Sequence, residues 1–170
     1  MKKLLITLGI VLFVVGVSSA QKFAYVDTEY ILKKVPSYKT AQDQLEKLGT
    51  QYQNEIEAAY KKVDDLFKKY QSEKVLLSES LRQTREKEII DREKEVKDMQ
   101  QKYFGSEGAM AKKQEELLKP IQDQVYNVIK TIANEGGYAT IFDITNNPGI
   151  IYNNPKYDIS DKVVEKLGYK

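Results

Sequence analysis

The chain has 170 residues, 31% charged and 41% hydrophobic, with no Cys, no His and a formal net charge of +2. Without Cys there are no disulfides and no thiolate metal sites, and without His the commonest general base and transition-metal ligand are both missing. Lys2 and Lys3 account for the surplus charge. The remaining basic residues balance the 25 acidic ones, and a neutral surface argues against phosphate tracking, which needs a basic face.

Residues 1–20 read as a signal peptide. Lys2 and Lys3 open it, Leu4 to Val17 is an apolar run, and Ser18-Ser19-Ala20 supplies the small residues of a cleavage site before Gln21. The run is short for a retained anchor, and no Cys follows to carry a lipid. The mature chain is therefore expected to cross a membrane and be soluble.

Lys22 to Asp27 is short and β-prone, and Asp27-Thr28 suits the start of a helix. Glu29 to Val35 gives about two helical turns, stopped by Pro36. From Ser37 an apolar stripe recurs at helical spacing: Leu45, Leu48, Tyr52, Ile56, Ala59, Val63, Leu66, Tyr70, Leu77. Ser78-Glu79-Ser80 interrupts it, and Ser80-Leu81-Arg82-Gln83 fits a capping box. A return stripe runs Leu81, Ile89, Val96, Met99, Tyr103, Met110, Leu117, Ile121, Val125, Val128, Ile132, with polar gaps at Arg85, Arg92, Ser106 and Gln114. The pattern predicts a helical hairpin over 37–134, each arm about forty residues and so roughly 60 Å long.

Glu135-Gly136-Gly137 ends the second helix, with glycine suited to a left-handed cap. Ala139 to Ile144 reads as a strand, Asn146-Asn147-Pro148-Gly149 as a turn, and Ile150-Ile151-Tyr152 as another strand. Asp158-Ile159-Ser160-Asp161 then caps a last helix, Lys162 to Leu167, closed by Gly168. The expected class is α+β and mostly α, with 21–36 and 135–170 forming a small β body. Three short strands and scraps of helix bury too little apolar area to stand alone. The body is expected to complete itself against other copies of the chain.

This order of elements resembles the Skp (OmpH-like) family of periplasmic chaperones. The resemblance rests on Phe23-Ala24-Tyr25-Val26-Asp27 with Tyr30-Ile31-Leu32, Pro36-Ser37-Tyr38, Leu117-Leu118-Lys119-Pro120-Ile121, Gly137-Tyr138 and Asp158-Ile159-Ser160-Asp161. It implies a homotrimer in which strands of three chains close a central barrel. Phe23, Tyr25, Val26, Ile141, Phe142, Ile144 and Ile151 are the residues expected in that body. It also implies three tentacles around a cavity that holds unfolded outer-membrane proteins in the periplasm without ATP. Well-known members are strongly basic. This chain is neutral, so capture would lean on apolar and aromatic contacts, and lipopolysaccharide or membrane contact is left open.

Placing the hairpin turn at Glu79 sets residue n level with residue 158 − n. Tyr60, Phe67, Ile90 and Phe104 then fall beside the seam rather than in it, and are the candidate cavity-lining, client-binding residues. Packing between subunits or a broader seam is the alternative. Leu76, at the tip, either grips clients or covers the turn. Gly49, Gly105 and Gly108 lie at nearly one level and suggest a mid-arm joint, each costing about 1 kcal/mol against Ala in a helix. Pro120 marks a shoulder near the level of Pro36, as a local kink or a second flexing point.

No enzyme is expected. Asp64-Asp65 and Glu115-Glu116 are adjacent pairs that diverge on an exposed helix, and nothing converges on a pocket. No cofactor, metal or nucleic acid is expected either. The rival reading is a spacer or adaptor coiled coil of the cell envelope, although export-pump adaptors need larger β domains than the segments flanking 37–134 provide.

Overall fold

The computed structural model describes residues 21–145, 147 and 149–170. The expected signal peptide and two positions of the expected turn, Asn146 and Pro148, lie outside the described residues. The chain divides into two compact units, one of residues up to Ile31 with Tyr126–Lys170 and one of Leu32–Val125.

In the first unit, β1 (Lys22–Val26) and β2 (Tyr138–Asp143) pair in parallel, with Phe23 opposite Thr140 and Val26 opposite Asp143. Parallel strands need a long crossover; here the chain between them carries every long helix. Helix α1 (Thr28–Lys33) starts as the Asp27-Thr28 pair predicts, the Asp27 carboxylate accepting from the Tyr30 amide at 2.8 Å. The last helix, α5 (Ser160–Lys166), is capped by Asp158, whose Oδ1 accepts from the Ser160 amide at 2.8 Å and hydroxyl at 2.6 Å. Ser160 Oγ in turn accepts from the Asp27 amide at 2.8 Å. One buried hydroxyl thus ties the end of β1 to the start of α5. Ile159 donates its amide to the Tyr25 carbonyl at 3.0 Å, so β1 has partners on both edges. Ala24, Val26, Ile31, Ile132, Val163 and Val164 are the apolar residues sealed most completely in this unit.

The second unit holds α2 (Pro36–Glu73), α3 (Glu79–Phe104) and the first part of α4 (Ala109–Gly136). Pro36 sits in the first turn of α2, where its missing N–H costs nothing. Ile56, Val63 and Tyr70 from α2 bury against Ile89 and Val96 from α3, with Ala59, Leu66, Leu77, Met99 and Tyr103 packed around them. Both runs repeat at seven residues in alternating steps of three and four, the knobs-into-holes period of a coiled coil. Tyr70 donates its hydroxyl to Glu86, and Tyr103 donates to Glu55 at 2.6 Å. Tyr103 and Glu55 obey the expected mirror rule, which fixes the antiparallel register.

Four expectations need correction. Ile150-Ile151-Tyr152 is no strand: β1 already has partners on both edges, the segment does not pair with the outer edge of β2, and Ile151 is 98% exposed. The return arm is not one helix but breaks at 105–108, where two glycines bracket Ser106-Glu107. The capping box at Ser80 and Gln83 does not form. The helix starts earlier, after Ser78, so Ser80 lies inside the first turn and its carbonyl accepts from the Thr84 hydroxyl at 2.9 Å. Leu81 leaves the seam and is half exposed, because the seven-residue repeat back from Ile89 falls on Arg82.

Candidate functional site

Two faces of the α2–α3 pair differ in chemistry. Each helix advances about 100° per residue with the same hand. In an antiparallel pair, positions one residue after the seam therefore fall on one common face. Tyr60 and Phe67 follow the seam residues Ala59 and Leu66; Ile90 and Phe104 follow Ile89 and Tyr103. All four expected client-binding residues of the arms thus share a face, and all are exposed: Tyr60 at 45%, Phe67 at 46%, Ile90 at 62% and Phe104 at 44%. By the mirror rule Phe67 falls level with Asp91, one residue from Ile90. The opposite face is a groove of about 580 Å³ floored by Ala59, Val63 and Met99 and walled by Lys62, Lys69, Glu88 and Glu95. The four exposed apolar side chains lie on the first face, interspersed with Glu57, Asp64 and Lys97, which also follow seam residues; the walls of the second are charged.

Near the far end of α3 the seam turns aromatic. Tyr52 stacks on Tyr103 with ring centres 3.9 Å apart and planes 8° from parallel, and Phe104 meets Tyr52 edge-on at 6.2 Å. The Tyr103 hydroxyl, with help from Gln51, holds the Glu55 carboxyl below its usual range, and the same bond pushes the Tyr103 phenol up. Phe104 is the last helical residue before the break. There a Cβ on Gly105 would lie 2.4 Å from the Gln101 carbonyl oxygen, and one on Gly108 would lie 2.8 Å from that of Tyr103. The chain closes on its own backbone at both positions, which only glycine permits. Gly49 is different: α2 runs unbroken through it, and an added Cβ would meet only the Met110 Cε at 3.8 Å. Helix α4 likewise runs unbroken through Pro120.

At the turn between α2 and α3, Leu77 packs toward the seam while Val75 and Leu76 are 86% and 87% exposed. Leu76 was expected there; Val75 was missed, although two adjacent aliphatics outside both stripes were the available signal.

In the first unit, Phe23 and Phe142 stack with ring centres 6.4 Å apart beside an open cleft of about 670 Å³. Ile144, Ile150, Tyr152 and Tyr157 also line it. Of the residues expected in a shared body, Tyr25 and Val26 are buried within the chain. Ile141 and Ile144 are half-buried, and Phe23, Phe142 and Ile151 are exposed. Tyr152 was expected only as part of a strand at 150–152 and Tyr157 had no expected role; both line this cleft instead. Among the described residues no group of carboxylates is arranged to hold a metal.

A family model described as outer membrane protein (OmpH-like) matches residues 22–167. The chain belongs to the OmpH-like family. An uncharacterised protein of Aquifex aeolicus (strain VF5) is 28% identical over 154 residues, covering 91% of this chain and 90% of its own. The crystal structure of a proposed outer membrane chaperone (OmpH-like) from Caulobacter crescentus CB15 superposes with a TM-score of 0.67 at 12% identity. The match covers 89% of this chain and 86% of that one. The OmpH-like fold thus persists where few side chains are shared. The exposed residues that would do the work must be judged on this chain's own chemistry.

Proposed function

We propose that the chain is a periplasmic, ATP-independent holdase that keeps unfolded outer-membrane β-barrel proteins from aggregating, with no catalytic step. The observation that carries the reading is the single apolar face of the hairpin: Tyr60, Phe67, Ile90 and Phe104, wet in the lone chain and offering contacts without directional demands. Such contacts suit a client with no fixed structure, because burial of apolar area needs no partner geometry. Family membership points the same way.

In this reading 21–36 and 135–170 form an assembly body that three copies complete, and 37–134 is the arm. The open cleft lined by Phe23, Phe142 and Tyr152 supports the first part, since exposed apolar patches rimmed by polar groups mark interaction sites. The Gly105–Gly108 break, opposite the small Gly49, would let the arm bend, with Pro120 as a second point of give.

The test is an aggregation assay. A denatured outer-membrane β-barrel protein diluted from urea is expected to stay soluble at about one assembled chaperone per client, with no nucleotide. Aggregation at the unprotected rate would leave the spacer or adaptor reading standing.

A further inference from the structure

The start of β1 holds a residue whose chemistry the fold and the client face leave unused. Gln21 stands just outside the strand, exposed, next to Lys22, which makes the first pairing with β2. It borders two clefts at once, the one lined by Phe23 and Tyr152 and another that reaches Asn134 and Tyr138. The ionisable groups lining them are Lys22 and the phenols of Tyr25, Tyr138, Tyr152 and Tyr157; neither cleft has a carboxylate among its described residues. Lys22 already occupies the Gly136 carbonyl at 3.1 Å and the face of the Tyr138 ring at 4.2 Å. With the leader cleaved after Ala20, a reading on which this inference rests, Gln21 begins the mature chain. Its α-ammonium would then stand unpaired beside a second cation, on the rim of an apolar cleft. Covering that rim in an assembly desolvates a charge that nothing receives, which costs free energy.

We propose that Gln21 is a modification site, cyclised to pyroglutamate once the leader is removed. The neutral fraction of the α-amine, a group that titrates at about 7.7–8.0, attacks Cδ of the residue's own side-chain amide. The bond from the α-nitrogen to Cδ forms, the Cδ–Nε2 bond breaks, and ammonia departs with a proton taken from the amine. A neutral five-membered lactam remains. The step lies within one residue, so it needs no oxidant, cofactor or second substrate, and it precedes any cover by other copies. An envelope cyclase would change its rate and not its balance. Loss of the terminal charge lets the rim meet a neighbouring copy without an unpaired ammonium.

The test uses protein purified from the cells that naturally make it. Free amines are labelled by reductive methylation before digestion, and the N-terminal peptide is sequenced by mass spectrometry. The expected peptide starts at residue 21, carries no label on its first nitrogen and is lighter than the unmodified sequence by one ammonia. A labelled, open Gln21 overturns the proposal while leaving the leader reading intact; a peptide that starts anywhere else overturns both. Gln21→Ala, its start verified by mass, keeps a free amine. Its assembly is expected to dissociate at about tenfold higher concentration than the parent's at about pH 7, with the difference gone by about pH 9, where the amine is neutral. An equal deficit at both pH values, or none, overturns the role given to the lactam. A parent that is a single chain with a closed ring takes down the assembly reading and leaves the modification standing.

Discussion

Replacing Phe67 and Ile90 together by Ser tests the apolar face where its two sides come nearly level. Both side chains are substantially exposed, so the substitution opens no cavity, and stability should move by no more than about 0.5 kcal/mol. The effect on a bound client follows from the area left to bury. Burying a Phe or Ile side chain completely is worth about 1.5–3 kcal/mol. With 46% of Phe67 and 62% of Ile90 still exposed, the pair can gain about 2–3 kcal/mol at full contact. An unfolded client that shifts among sites realises only part of that, so affinity should fall by about tenfold. The assay is anisotropy of a labelled, urea-diluted β-barrel client titrated with chaperone, with thermal melting as the control for folding. Lys62→Ser with Lys69→Ser, on the opposite face, should leave affinity within about twofold. Equal losses on both faces, or no loss from Phe67 and Ile90, would refute the assignment of client contact to that face.

Three further outcomes follow from the packing and the hydrogen bonds. Ile132, with no exposed surface, is expected to cost about 3 kcal/mol on replacement by Ala, read as a lowered urea midpoint with unchanged slope. Gly49→Ala should stabilise the arm by about 0.5–1 kcal/mol, since only a methyl stands near it. Gly105→Ala with Gly108→Ala should instead lower the melting temperature or raise the helix signal as the break is remade; a silent double variant would mean the backbone closure is dispensable. The Tyr103–Glu55 bond sets a pH dependence. Because it depresses the folded Glu55 carboxyl, its contribution is complete above the unfolded carboxyl range near 4.3. That contribution is lost as pH falls through the lower folded value. Tyr103→Phe should flatten this part of the melting profile between about pH 5 and 3.

The parts legible in the sequence were those governed by local periodicity. Helical spacing placed Tyr52, Ile56, Val63 and Tyr70 in one stripe and Val96 and Tyr103 in the facing one, and the observed Tyr103–Glu55 pair satisfies the mirror rule. Of the caps read from short side chains, those at Asp27 and Asp158 formed and the box at Ser80 did not. What failed depended on partners far away in sequence. A strand at 150–152 needed a ladder partner within reach, which hydrophobicity cannot report. The break at 105–108 was visible as two glycines, but its form arises from backbone closing on backbone, as the approaches to the Gln101 and Tyr103 carbonyls show. The common face of Tyr60, Phe67, Ile90 and Phe104 was half legible: each was seen to leave the seam, but the shared side emerges only when handedness and antiparallel direction are combined.

The claim on which the rest depends is that the β portion is unfinished in one chain. Light-scattering mass across a dilution series, measured on the processed protein, addresses it directly. A particle of three chains that loses β structure as it dissociates is the predicted result. A folded single chain that persists at nanomolar concentration and still keeps clients soluble would contradict the account.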